Sequence, residues 1–119
     1  MSDDGLYLIH ILERIDRIQQ YTATGYDSFR KETIIQDAVL RNLHTLSEST
    51  QRMSEPLKDA HPEVDWRGIA RFRNVVVHGY LGIDLVRIWD IVQNDLPDLR
   101  RSIPLILAEL DENATQEAR

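Results

Sequence analysis

The sequence predicts an all-α chain, an antiparallel bundle of four to five helices, and three observations carry that expectation. Apolar residues recur at spacings of three and four through most of the chain, strand-like alternation is weak, and Gly25, the Pro56 to Pro62 stretch and the Gly79 to Gly82 link separate periodic segments.

The first helix lies in "LYLIHILERIDRIQQY", where Leu8, Ile11, Ile15 and Ile18 form one stripe. Ser2, Asp3 and Asp4 offer a cap and favourable charge at its start. The turn "TATGYDS" follows, with Gly25 as breaker and Asp27 or Ser28 as the next cap. A second, longer helix is expected from Phe29 to Met53, carried by Ile34, Ile35, Ala38, Val39, Asn42, Leu43 and Leu46, with a possible break near Thr33. "SEPLKDAHPEVD" reads as a loop because its two prolines and its polar cluster do not continue a helix. Asp65 caps a third helix from Trp66 to about His78, and Gly79 offers a left-handed end. Asp84 starts a fourth, Leu85 to about Asn94. Pro97 sits early in a fifth, marked by Leu99, Ile103, Ile106, Leu107 and Leu110, which Pro104 is expected to kink. Residues 1–119 read as a single domain whose polar end, from about 111 to 119, is expected to fray.

Composition narrows the chemistry. A chain of 119 residues buries enough surface to fold without a metal or disulfide, and the absence of cysteine excludes thiolate zinc sites, redox motifs and thiol nucleophiles. That cysteine usage suits the reducing cytoplasm. No apolar run is long enough to span a bilayer, and two acids stand where a secretory signal would be basic. The net charge of -6 argues against general nucleic-acid affinity, so any phosphate contact must be local. The segment from Trp66 to Ile83 is the exception: it holds Arg67, Arg71 and Arg73 and no acid. A bundle invites a di-iron centre, but no Glu stands three residues before any of the four histidines. His10, His44 and His61 read as surface or boundary residues.

In "RFRNVVVHGYLGID" an arginine, a histidine and a tyrosine stand close together. On a regular helix Asn74 and His78 share a face, whereas Arg73 lies about 140° round the axis from His78. One chain does not aim Arg73 and His78 at one point, and a second copy on a two-fold axis would assemble them more easily. At a helix C-terminus the imidazolium form of His78 is favoured, which suits a proton donor. A histidine beside Val75, Val76 and Val77 is more often a boundary residue with one hydrogen bond, and spacing alone leaves both readings open.

The string "WRGIARFRNVVVHGYLGIDLVRIW", Trp66 to Trp89, resembles the HepT-like branch of the HEPN superfamily, whose motif is Arg, four residues, His, one residue, Tyr. Arg73, His78 and Tyr80 match it, and Asn74 matches the usual polar neighbour. "QDAVLRNLHTLSES", "HPEVDW" and "NDLPDLRRSI" resemble the flanking segments, so the likeness covers nearly the whole chain. One departure is visible: relatives often carry "IGEA" where this chain has "LSES", Leu46 to Ser49, keeping only Glu48.

The resemblance implies a HEPN-like helical fold and a metal-independent ribonuclease without cofactor. It also implies the toxin of a two-gene, type VII-like system, acting as a homodimer with a composite site. The partner would be a small nucleotidyltransferase antitoxin that transfers AMP onto the motif tyrosine. Carried onto this chain, Arg73 and His78 become the catalytic pair, Asn74 a supporting residue, Tyr80 the AMP acceptor, and Arg67 and Arg71 contacts to RNA phosphates. The competing expectation is a non-catalytic helical subunit that binds a nucleotidyltransferase or presents substrates to it.

Overall fold

A computed structural model describes residues 3–78 and 84–117, and the side chains of 75–78 and 117 fall outside that description. The expected Gly79 helix end and "LGID" link therefore lie beyond the described residues, as does Tyr80. Every regular element among the described residues is helical: α1 Asp3–Tyr21, α2 Tyr26–Lys31, α3 Thr33–Arg52, α4 Glu55–Ala60, α5 Trp66–His78, α6 Leu85–Asp90 and α7 Leu96–Glu117, with a π-helical turn, Ile91–Asp95, between α6 and α7. The all-α bundle expected from periodicity is the fold.

The stripes form the core. Leu8, Ile11, Ile15 and Ile18 of α1 pack with Val39, Leu43 and Leu46 of α3, Ile69 and Phe72 of α5, and Leu99, Ile103 and Ile106 of α7. α3 lies between α1 and α5, and α7 closes the other side of α1. Trp89 stacks on Tyr26 with ring centroids 5.4 Å apart and tilts against buried Phe29 at the same distance, joining α6 to α2.

Several ends follow the sequence, and others depart from it. Gly25 breaks the chain at φ 98°, a left-handed value that favours glycine, but neither Asp27 nor Ser28 caps α2. Asp27 instead lies in the first turn of α2, paired with Arg30. The break near Thr33 falls at extended Glu32. The stretch read as a loop after Met53 contains α4, because Ser54 caps it through Leu57 N–H and Pro56 sits in the first turn, where a missing N–H costs nothing. Asp4 accepts from both the N–H and the hydroxyl of Ser54, at 2.8 and 2.6 Å, so the start of α1 holds the start of α4.

The fourth and fifth expected helices are one continuous helical run. Pro97 cannot donate to the ladder and its ring crowds the preceding turn. The π turn ending at Asp95 widens the helix just before it, so the chain continues instead of stopping. α7 continues past Pro104 and through Glu117, so the polar end expected to fray is helical to that point, with residues 111–116 exposed.

Candidate active site

Three local devices set the position of α5. Asp65 accepts from Gly68 N–H at 3.0 Å and caps the helix; a Cβ on residue 68 would lie 2.8 Å from the Asp65 carboxyl carbon, so a larger residue there would make the capping carboxylate shift. Trp66 Nε1 donates to the His61 carbonyl at 3.0 Å. Buried Ser47 of α3 shares its hydroxyl between the Leu43 carbonyl at 2.9 Å and the Ile69 carbonyl of α5 at 3.2 Å.

With Ile69 and Phe72 turned into the core, α5 presents Arg67, Arg71, Arg73 and Asn74 to solvent. Arg67, Arg71 and Asn74 follow one another at spacings of four and three along one line of the helix, and the same register carries position 78 one turn further. Arg73 stands on the flank of that line. Among the described residues none of these three arginines makes an ion pair or hydrogen bond. α5 contains no carboxylate to neutralise them. His78 closes the helix; its side chain and Tyr80 lie outside the described residues.

The other three histidines each meet a neighbouring polar side chain. His10 Nδ1 meets Ser49 Oγ at 2.9 Å, and His44 Nε2 lies 3.2 Å from Glu48. His61 bridges two carboxylates, Glu63 at 2.9 Å and Glu109 at 3.0 Å. A backbone hydrogen bond, followed by the one to His61, holds the Glu63 carboxyl below its ordinary value. Ser47 and Ser49, two positions where the chain departs from "IGEA", thus make the α3 to α5 link and the His10 bond. No group of three or more His, Cys, Asp or Glu side chains is arranged to hold a metal ion among the described residues.

One feature was not legible in the sequence. A cleft of about 390 Å³ opens beside α5, lined by Arg71 and Phe72 on one side and by Arg87, Asp95 and Asp98 on the other. Partial burial raises the Asp95 carboxyl above its ordinary value of 3.8; Arg87 opposes the shift, and Asp90, Asp98 and Asp65 add to it. The only sequence signal was Pro97, which places the π turn and so sets Asp95 in the cleft wall.

The family described as Ribonuclease HepT-like matches residues 11–106. A Methanocaldococcus jannaschii protein named as a candidate RNase, MJ0127, is 35% identical over 117 residues, covering 95% of this chain and 97% of its own. "Probable ribonuclease HepT" of Thermococcus cleftensis is 34% identical over 95 residues, covering 79% of this chain and 86% of its own. A second M. jannaschii protein, whose name joins gamma-glutamylcyclotransferase to a candidate RNase, is 33% identical over 113 residues, and this chain spans 51% of its length. No solved structure is significantly similar to the chain. With the family match running from within α1 into α7 and taking in all of α5, the chain belongs to the HepT-like ribonuclease family of the HEPN superfamily.

Proposed function

We propose that this chain is a metal-independent endoribonuclease, the cytoplasmic toxin of a type VII-like HEPN/nucleotidyltransferase toxin–antitoxin system. The observation that carries the reading is the acid-free helix α5, whose exposed Arg67, Arg71 and Asn74 lead toward His78, with Arg73, unpaired among the described residues, on the flank.

RNA carries its own nucleophile. When the 2′-hydroxyl loses its proton and attacks the adjacent phosphorus, the 5′-oxygen leaves and takes up a proton, giving a 2′,3′-cyclic phosphate and a 5′-hydroxyl. His78 moves one of those protons, a role typically worth 10²–10⁴-fold. Arg73 holds the phosphoryl oxygens as charge accumulates. Because the two positions diverge on one helix, a two-fold dimer supplies the second pair and makes the site composite. Arg67 and Arg71 carry the flanking phosphates, which localises affinity on a chain whose net charge is -6. The antitoxin, a small nucleotidyltransferase, silences the site by AMP transfer to Tyr80, which adds bulk and phosphate charge beside His78.

The test is RNA cleavage in excess EDTA by protein shown unmodified by intact mass, beside His78→Ala. Cyclic phosphate ends that vanish in the variant are the expected result. No cleavage of total cellular RNA by folded dimer would sink the catalytic reading in favour of a non-catalytic partner subunit.

A further inference from the structure

The cleft beside α5 has an apolar floor, Val64, Ile69, Phe72 and Leu99, beneath a polar rim. Most of the rim is already committed. Asp65 caps α5, Glu63 meets His61, Asp98 pairs with Arg101, Arg87 pairs with Asp90, and Ser102 donates to the Asp98 carbonyl. Two groups remain without a hydrogen bond or ion pair among the described residues: the Asp95 carboxylate, at the end of the π turn, and the Arg71 guanidinium, on the exposed line of α5. Single-turn π insertions recur at functional sites. A carboxylate and a guanidinium left open over one apolar floor fit a ligand with a flat body, N–H donors on one edge and an anionic group.

The acceptor chemistry selects among such ligands. A carboxylate offers two acceptors and no donor. Of the four RNA bases only guanine presents two adjacent donors, N1–H and N2–H₂, on its Watson–Crick edge. Adenine and cytosine place one amino group beside an acceptor, and uracil flanks its single N–H with two carbonyls. The cleft lies at the small end of the roughly 300–1,000 Å³ range of ligand sites. Position 71 is about 10 Å of helix rise from position 78, so a base held here would lie close to the scissile link.

We propose that this cleft is a guanine-reading subsite for the RNA substrate, with the base on the Phe72 floor, its Watson–Crick edge on Asp95 and its phosphate on Arg71. This rests on the ribonuclease reading above and adds a sequence preference to it. The bound chemistry is a guanylate, and the source assigned is an unpaired residue of RNA, the form in which bases are read singly.

The test is binding, so that it stands apart from catalysis. Amide chemical shifts of the wild-type chain are titrated with the 5′-monophosphates of guanosine, inosine, adenosine, cytidine and uridine, then with 2′-O-methyl UUGUU and UUAUU, which resist cleavage. Expected are shifts at residues 68–72 and 95–102, a preference for the guanine nucleotide of about tenfold or more over the adenine one, and inosine between them. UUGUU should exceed UUAUU by a similar ratio. Asp95→Ala should abolish the preference, and the shape-conserving Asp95→Asn should do so with the fold checked by circular dichroism. Shifts elsewhere, equal binding of all bases, or a guanine preference that survives both variants would overturn the assignment. A preference seen with mononucleotides but not with the pentamers would overturn RNA as the source. Cleavage assayed separately against His78→Ala distinguishes failure of this subsite from failure of the ribonuclease reading.

Discussion

Ser47 on α3 reaches the backbone of α5 directly: its fully buried hydroxyl lies 3.2 Å from the Ile69 carbonyl while also meeting the Leu43 carbonyl of its own helix. The helix that carries the candidate site is thus tied to the centre of the bundle. Ser47→Ala is expected to cost about 1 kcal/mol, since both carbonyls retain their helical partners and only the shared bond is lost. Urea denaturation measures it, and an unchanged midpoint would mean the link contributes nothing.

His78→Ala and Arg73→Ala are each expected to lower RNA cleavage by about 10²-fold or more while leaving thermal stability nearly unchanged. Arg73 is exposed and unpaired among the described residues, so its loss removes no packing. Single-turnover kinetics beside a thermal melt separates a chemical role from a structural one.

Arg67→Ala and Arg71→Ala should weaken RNA binding instead of abolishing the chemical step. If each guanidinium neutralises one phosphate of a single strand, removing it lowers the slope of log affinity against log salt by about 0.7. Binding isotherms of non-cleavable RNA across a salt series provide the number, and an unchanged slope would take that arginine out of the phosphate path.

Asp95 makes a stability prediction with a definite sign. Its carboxyl is raised above 3.8, chiefly by burial, so the fold disfavours the ionised form. The favourable contribution of the neutral acid is complete below 3.8 and is lost as pH rises through the higher folded value. Asp95→Asn is therefore expected to melt higher than wild type at neutral pH and to lose that advantage in acid. Melting curves at pH 3 and pH 7 decide it, and a variant less stable at neutral pH would contradict the burial account.

If the proposed antitoxin mechanism holds, Tyr80→Phe should retain cleavage and lose AMP acceptance from a cognate nucleotidyltransferase. Intact mass after incubation with ATP and that partner reads the second property. Modification persisting in the variant would move the acceptor to another residue.

Much of this architecture follows from local rules. The apolar stripe of α1, the break at Gly25, the Asp65 and Asp84 caps and the acid-free run through α5 each depend on residues within a turn or two, and each appears in the fold. The loop expected at "SEPLKDAHPEVD" was misread because proline stops a helix in its interior but suits its first turn, and Pro56 occupies the first turn. The split expected before Pro97 was misread because the π turn supplies a wider ladder that periodicity does not encode.

The order of residues by itself determined most of the helices and carried the likeness to the family, because both are relations between near neighbours. The tertiary structure alone decided that Ser47 would hold α5, that His61 would bridge Glu63 and Glu109, and that Arg71 and Asp95 would line one cleft with neither hydrogen-bonded nor ion-paired among the described residues. Those relations join distant segments, and their geometry exists only once burial of the apolar stripes has set how the helices pack.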